Sequence, residues 1–222
     1  MSRLLIKFPT RNRPEKFKKV FQLYIDFLSG KHDVKFVVTM DEDDLTMNND
    51  EIKNWLNSLP IKIKYVYGHS KSKIQAVNAD LDDENADVLL LASDDMIPQI
   101  KGYDDIIFEG FKQTFPDFNG AIKFHDGLRD DNLMTLCVMG WPLYKHFGYI
   151  YSPEYTSVYS DTEQSLVLMA MKKLATSPVC IIQHAWTPEP WDTLHARNEN
   201  TEMYDKDKKV FDRRMKEFFI SK

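Results

Sequence analysis

Two adjacent acids, Asp94 and Asp95, follow shortly after a run of branched apolar residues, Val88 to Leu91. The run has no polar alternation, which is typical of a strand buried on both faces of a sheet. Neighbouring carboxylates repel each other unless a cation or several hydrogen-bond donors lie between them. Oxygen ligands suit Mg²⁺ or Mn²⁺, and such ions often also hold substrate phosphates. The pair is therefore a candidate metal site, with a simple acidic turn as the alternative.

Polar side chains also follow two other predicted strands. The first strand, Arg3 to Phe8, leads into the stiff loop Pro9 to Pro14, in which Thr10, Arg11 and Arg13 could grip a base or a phosphate. The second, Val34 to Thr39, leads into Asp41, Glu42, Asp43 and Asp44. Ligands of open α/β sheets bind at the carboxyl ends of strands. We expect the three clusters to converge on one nucleotide site. The alternative is that the two arginines only neutralise the acidic loops.

A basic loop precedes the third predicted helix. Gly68 to Lys73 contains Lys71 and Lys73, and the helix is predicted from Ile74 to Leu81. The N-terminus of a helix attracts anions, and lysines beside it add to this attraction. The loop is therefore a natural site for a pyrophosphate.

The order of the elements that position these residues predicts the fold class. Strands are predicted at Arg3–Phe8, Val34–Thr39, Ile61–Tyr67 and Val88–Leu91, with helices between them that begin near Pro14, Glu51 and Ile74. This alternation predicts an α/β fold with a mostly parallel, Rossmann-like sheet flanked by helices.

The second half of the chain has a different pattern. Its predicted elements are a helix at Tyr103–Phe115, strands at Ala121–Phe124, Leu133–Met139 and Pro178–Gln183, a helix that begins at Ser160, and a charged helix at Glu199–Phe219. Ser160 and Glu163 have the spacing of a capping box at a helix start. With no repeat and no linker, we expect a single domain over residues 1–222.

Composition narrows the class of protein. The chain has 222 residues and a formal net charge of −5, which does not favour a general nucleic-acid-binding surface. Cys137 and Cys180 lie in apolar runs without metal-ligand spacing, so we expect small buried hydrophobic side chains in a reducing compartment. The N-terminus is too charged for a signal peptide, and no apolar run is long enough to span a membrane. We therefore expect a cytoplasmic protein.

Five short motifs follow one another along the chain. They are Pro9 to Arg13, the acids Asp41 and Asp43, Ser72 to Ala79, Ser93 to Asp95, and Ser160-Asp161. In this order they resemble the GT-A class of glycosyltransferases, in particular the family-2-like branch that uses nucleotide-diphosphate sugars. The resemblance extends from Leu4 to about Arg214. It implies a GT-A domain whose residues 1–100 bind the nucleotide sugar and whose residues 101–222 form a smaller acceptor-side β element and a C-terminal helix.

The resemblance implies that three loops hold the donor. The residues concerned are Pro9, Thr10, Arg11 and Arg13 against the nucleotide, Asp41 or Asp43 on the base, and Lys71, Lys73 and Asn78 near the diphosphate. Fixed positive groups beside a diphosphate lower the barrier to its departure.

The same resemblance implies a metal site. Ser93-Asp94-Asp95 resembles the DxD motif, with Ser in place of the first Asp. Asp95 is then the direct ligand of Mn²⁺ or Mg²⁺, and Asp94 contacts the ribose or the sugar. His184 lies where many relatives have a late metal-binding His, and His195 is the competing candidate.

Ser160-Asp161 stands where the family has Glu-Asp at a helix start, and there the Asp is the catalytic base. Inverting sugar transfer needs such a base to take a proton from the acceptor hydroxyl. We assign this role to Asp161, with Glu163 as the second candidate. The alternative for both acids is stabilisation of the helix N-terminus.

The resemblance therefore implies a metal-dependent, inverting glycosyltransferase with a UDP-sugar donor. The acceptor would be a hydroxyl of a glycan, a protein or a modified nucleic acid. One alternative is a sugar nucleotidyltransferase, although such enzymes usually have a glycine-rich loop after the first strand and Pro9 to Pro14 contains no glycine. Another is a nucleotide- or carbohydrate-binding module without activity, because the metal and base motifs each lack one acid.

Overall fold

A computed structural model describes residues 1–185 and 200–220, without the side chain of Ile220. The strands are β1 Arg3–Pro9, β2 Asp33–Asp41, β3 Lys62–Gly68, β4 Val88–Leu91, β5 Met96–Pro98, β6 Ala121–Phe124, β7 Val138–Gly140, β8 Leu174–Ser177 and β9 Ile182–His184. The helices are α1 Pro14–Asp26, α2 Asp50–Ser58, α3 Lys73–Asn78, α4 Tyr103–Thr114, α5 Trp141–Phe147, α6 Ser160–Ala170 and α7 Thr201–Ile220.

Seven strands form the main sheet in the order β3-β2-β1-β4-β7-β6-β8. Strands β1 to β4 are parallel to one another, while β7 runs antiparallel to both β4 and β6. The predicted Rossmann-like first half is confirmed. Its parallel arrangement follows from the helical crossovers, because two parallel neighbours cannot be joined by a tight turn.

Side chains of β1 alternate between two hydrophobic cores. Leu4, Ile6 and Phe8 face the core that contains α1, α2 and α4, whereas Leu5 faces the core that contains α3, α5 and α6. In α1, Pro14 occupies the first turn, where its missing N–H is not needed. Burial on both faces explains why β4 lacks polar alternation.

Two strand predictions in the second half were inaccurate. Leu133–Met139 forms only the short strand β7, because the chain before Val138 is a loop. Only the end of Pro178–Gln183 is a strand, as part of β9, which pairs with β5 in a separate two-stranded sheet. The unpredicted strand β8 precedes this segment and belongs to the main sheet. Apolar content predicts that a segment is buried, but it does not predict which strand will pair with it.

The predicted capping box at α6 is not formed. The residue at the N-cap is Tyr159, in a left-handed conformation with φ 62°, and no side chain accepts a hydrogen bond there. Glu163 is buried and hydrogen-bonded elsewhere. Cys137 is buried as expected, Cys180 is only partly buried, and both are free thiols. Within the described residues, no helix is long and apolar enough to cross a membrane.

Candidate functional site

The carboxyl ends of β1, β2, β3 and β4 lie side by side at one edge of the sheet. Pro9 is in register with Thr39, and Asp41 is in register with Gly68. The N–H of Thr10 donates to the Thr39 carbonyl at 3.0 Å, so the loop after β1 stays attached to β2. This edge is where ligands bind in open α/β sheets.

Arg11 joins the first two strand ends. Its Nη1 lies 2.5 Å from Asp41 Oδ2 and 2.6 Å from Asp43 Oδ1. Hydrogen bonds with Asp43 and Asp41 outweigh burial and raise the pKa of Arg11 above its usual value. The other oxygen of Asp41 accepts the backbone N–H of Ser70 at 3.0 Å. The loops after β1, β2 and β3 thus meet at Asp41.

Arg13 makes the equivalent link to the end of β4. Its Nη1 donates to Asp94 Oδ1 at 2.8 Å, and Lys16 Nζ lies 3.7 Å from the same oxygen. Burial raises the pKa of Asp94, and these two cations only partly offset that rise. Both arginines therefore pair with acids of these loops, as the alternative interpretation of the sequence expects. The ion pairs lie at the carboxyl ends of the strands, within the candidate site.

Asp95 and His184 approach each other across the two small strands. Pairing of β5 with β9 sets Met96 opposite His184, and His184 Nε2 lies 3.8 Å from Asp95 Oδ2. Ser93 donates a hydrogen bond from Oγ to Asp95. Burial alone would raise the pKa of Asp95, but His184 and Ser93 outweigh it and hold the pKa below its usual range. His195 lies outside the described residues.

Asp95 and His184 fit part of a divalent-ion site. Carboxylate oxygen and imidazole nitrogen are suitable ligands for Mn²⁺, and here they lie 3.8 Å apart. Among residues 1–185 and 200–220, no group of three or more His, Cys, Asp or Glu side chains could hold a metal ion. Two protein ligands are compatible with an ion that also binds substrate phosphates, as Mg²⁺ commonly does.

Thr10 Oγ1 and Arg11 Nε are buried polar atoms at the site for which the described part of the chain offers no hydrogen-bond partner. Buried polar atoms are nearly always hydrogen-bonded, so such exceptions in one loop need an explanation. Both atoms belong to the loop that was predicted to bind a base or phosphate, and a polar ligand there would satisfy them.

The basic loop ends at α3, which is shorter than predicted. Ser72 caps the helix by accepting the N–H of Gln75 at 3.1 Å. The charge of Lys73, the first helical residue, contributes to the lowered pKa of Asp95. Lys71 is exposed. The start of α3 therefore places positive charge near the acids that follow β4.

Asn78 has a different neighbourhood from the one expected. Its Nδ2 donates to the Tyr151 carbonyl at 2.7 Å, and its Oδ1 accepts the N–H groups of Ile150 and Tyr151. These bonds attach the end of α3 to the loop between α5 and α6. Asn78 thus links the two halves of the chain.

The two candidate bases differ in the exposure of their carboxylates and in the hydrogen bonds that these accept. Asp161 is half-exposed in the first turn of α6, and its Oδ1 accepts the N–H of Thr162 at 2.8 Å. Glu163 is buried and accepts hydrogen bonds from Tyr155 and from Arg214, whose Nε lies 2.8 Å from Oε2. Both oxygens of Glu163 thus already accept hydrogen bonds. Asp161 is the better placed of the two.

Sequence reasoning missed Asp126 and Arg129. Asp126 is buried, and burial would raise its pKa, but hydrogen bonds from the Thr135 hydroxyl and from the backbone N–H groups of Leu128 and Arg129 lower it. His184 also stabilises its charge, and the pKa of Arg129 is raised first by Asp131 and further by Asp126 and Asp161. The charge of His184 thus acts on Asp126, and the charge of Asp161 acts on Arg129. The available signal was an acid at or just beyond the end of a strand, as at Asp41 and Asp94.

A buried lysine lies beneath the site, on β1. Lys7 is fully buried, donates to Thr39 and to the Ala79 carbonyl at 2.7 Å, and lies 4.0 Å from Asp80. Burial lowers its pKa from 10.5 to about 7, although Asp80 opposes the shift. The unfolded chain therefore binds this proton more tightly than the folded protein does.

This shift predicts that stability rises with pH between about 7 and 10.5, because the unfolded state binds more protons in that window. From pH 7 to pH 9, Lys7 should add about 2 kcal/mol to the free energy of unfolding. The free energy of unfolding of Lys7→Met, measured with urea at both pH values, should not show this increase. The exposed Lys19→Met is the matched control, and an equal rise in all three proteins would contradict the shift.

Comparisons with known proteins bear on the fold. No protein-family model matches the sequence, and no curated protein matches it. Among solved structures, the mannosyltransferase PcManGT from Pyrobaculum calidifontis, in complex with GDP-Man and Mn²⁺, aligns with a TM-score of 0.70 and 15% sequence identity over 88% of this chain. The chain has the GT-A fold. The order of its strands is thus that of a GT-A sheet.

Two further solved structures align with the chain. S. aureus TarS 1–349 in complex with UDP-GlcNAc aligns with a TM-score of 0.65 and 12% identity over 92% of this chain. A 4-diphosphocytidyl-2C-methyl-D-erythritol synthase from Anaerococcus prevotii aligns with a TM-score of 0.55 and 11% identity over 84% of this chain and 92% of its own. The chain spans only 60% of PcManGT and 64% of the TarS fragment.

Proposed function

We propose that this protein transfers a sugar from a nucleotide-diphosphate donor, a UDP-sugar in the first instance, to an acceptor hydroxyl. The observation that carries this proposal is the pairing of Asp95 with His184, 3.8 Å apart, at the carboxyl end of β4 in a GT-A fold. The two residues are far apart in the sequence: Asp95 lies in the turn between β4 and β5, and His184 is the last residue of β9. Acids and an imidazole at this edge suit metal-assisted binding of a diphosphate.

Residues 1–100 would bind the donor in this proposal. Asp41 and Asp43 would contact the base, and the loop from Pro9 to Arg13 would lie against the nucleoside. The unpartnered Thr10 Oγ1 and Arg11 Nε support a polar ligand there. For the base to reach Asp41 or Asp43, one of the hydrogen bonds from Arg11 would have to rearrange.

Asp95 and His184 would hold a divalent ion, Mn²⁺ or Mg²⁺. The chemistry that a bound ion would supply there is neutralisation of negative charge on the leaving diphosphate. Ser93 orients Asp95 through its hydrogen bond, and Arg13 with Lys16 keeps Asp94 paired beside it. Lys73 and Lys71, at the start of α3, would add positive charge on the side of the leaving group.

Residues 101–222 would form the acceptor side. Asp161, half-exposed and without a cation in hydrogen-bonding contact among the described residues, would accept the proton of the acceptor hydroxyl as the carbon–oxygen bond forms. A base on the face opposite the leaving diphosphate inverts the configuration at the anomeric carbon. Glu163, bound to Arg214, would contribute to structure.

A sugar nucleotidyltransferase is the second candidate function. It is favoured by the structural similarity to the diphosphocytidyl-methylerythritol synthase, which aligns over 92% of its own length. Against it, the loop from Pro9 to Pro14 has no glycine to let a triphosphate approach the backbone. Release of pyrophosphate from UTP or CTP in the presence of a sugar phosphate would support this candidate.

Thermal unfolding with nucleotides tests the proposal directly. The purified protein would be heated with UDP, GDP, CDP and their sugars, each with and without Mn²⁺. A ligand at about one hundred times its Kd raises stability by about 2.7 kcal/mol. We expect a metal-dependent increase with one nucleotide diphosphate. Binding without turnover would instead indicate a module without activity, and no shift with any ligand would contradict the proposed donor site.

A further inference from the structure

The C-terminal helix α7 holds the segment that carries Asp161 at three points. The first is Asp207, whose side chain is fully buried. Its Oδ2 accepts the N–H groups of Thr156 at 3.1 Å, Ser157 at 2.7 Å and Val158 at 2.9 Å, and its Oδ1 accepts the first of these at 2.9 Å. Three consecutive N–H groups around one carboxylate form an anion-binding turn.

The second contact involves Tyr159, which adopts the left-handed conformation at φ 62°. This conformation is unfavourable for a bulky side chain and persists only where surrounding contacts enforce it. Its ring packs against two aromatic side chains of α7, with centroids 5.5 Å from Phe211 and 6.2 Å from Tyr204. Tyr159 is the N-cap of α6, so its conformation sets the direction in which that helix starts.

The third contact is the ion pair between Arg214 and Glu163. Nη2 of Arg214 lies 2.8 Å from Oε1 of Glu163, and Nε lies 2.8 Å from Oε2. A two-point guanidinium–carboxylate pair restricts orientation as well as distance. Arg214 and Arg213 also pair with Glu154, at the other end of the same segment.

Asp161 lies between these contacts, two residues after Tyr159 and two before Glu163. We propose that α7 is a positioning element for the acceptor side, with Asp207 as the residue that sets the backbone leading to Asp161. The inference rests on the proposed function for the role of Asp161, while the contacts themselves do not. The same segment touches the donor side, because the N–H of Ile74 in α3 donates to the Thr156 carbonyl at 3.3 Å.

The test is Asp207→Asn in the full chain, which keeps the shape of the side chain and replaces one acceptor oxygen by a donor that faces N–H groups. Amide hydrogen exchange over 156–163 should accelerate by about tenfold or more, while residues 3–9 and 88–91 should be unaffected. The transfer rate per folded molecule should fall by about tenfold to 10²-fold. Affinity for UDP and GDP with Mn²⁺ should stay within about twofold, because the hydrogen bonds of Asp207 go to Thr156, Ser157 and Val158 and not to the residues proposed to bind the nucleotide.

Asp205→Asn is the matched control, since Asp205 lies on the same helix and is exposed. Unchanged exchange over 156–163 in Asp207→Asn would overturn the proposal, as would a transfer rate equal to that of the control. If Asp207→Asn does not fold, Phe211→Leu replaces it, and faster exchange over 159–163 is expected.

Different results would contradict the proposed function and the positioning role of α7. A wild-type protein that binds no nucleotide contradicts the proposed function. Unaltered amide exchange over 156–163 in Asp207→Asn contradicts the positioning by α7.

Discussion

Asp161→Asn should abolish sugar transfer and leave the donor site intact. The amide has the same shape but cannot take the proton of an acceptor hydroxyl, and removal of a general base typically slows a reaction by about 10²- to 10⁴-fold. Asp161 is half-exposed in the first turn of α6, and its Oδ1 accepts only local hydrogen bonds from Thr162. Its replacement by Asn should therefore change stability little. The measurement is the transfer rate together with nucleotide affinity.

Asp83→Asn is the matched control, because Asp83 is an exposed acid in the loop after α3. It should retain the wild-type rate. Glu163→Gln gives a second comparison: it weakens the pair with Arg214 and should lower the unfolding temperature more than Asp161→Asn does. Transfer by Asp161→Asn at close to the wild-type rate would mean that another residue is the base.

Asp95→Ala should remove the metal-dependent part of nucleotide binding. Asp95 comes after β4, where its side chain contacts Ser93 and His184 rather than the hydrophobic cores, so the variant should fold. At a nucleotide concentration of about one hundred times the wild-type Kd, the wild type should gain about 2.7 kcal/mol of stability, and a variant with 100-fold weaker affinity only about 0.4 kcal/mol. Thermal unfolding with UDP or GDP and Mn²⁺ measures both.

The metal dependence separates this effect from a loss of the fold. Without Mn²⁺, nucleotides should stabilise Asp95→Ala and the wild type to the same extent. Asp83→Ala, at an exposed position, should behave as wild type in both conditions. Undiminished Mn²⁺-dependent stabilisation of Asp95→Ala would show that the acid does not bind the ion.

Local pattern was sufficient for the first half of the fold. The strands at Arg3–Pro9 and Val88–Leu91 were recognisable because apolar runs end in polar turns, and the alternation with helices allowed only a parallel sheet. The candidate donor residues followed from the same pattern, since parallel strands bring their carboxyl ends to one edge. The prediction of a GT-A type fold is confirmed by the sheet order and the structural neighbours.

The second half depended on contacts that no local pattern contains. His184 reaches Asp95 only because β9 pairs with β5, and a short apolar strand does not reveal its partner. The capping-box spacing of Ser160 and Glu163 was real, but burial beside Arg214 made a stronger interaction available to the carboxylate.

By itself, the sequence determined the fold class, the parallel half of the sheet and the strand ends where polar side chains collect. Periodicity and turn chemistry are properties of neighbouring residues, so they can be recognised without coordinates. The tertiary structure alone decided that Arg11 holds Asp41 and Asp43, that Asn78 ties α3 to the second half, and that Asp207 holds the backbone before Asp161. These contacts join residues distant in sequence, and their geometry exists only once the sheet and helices have packed.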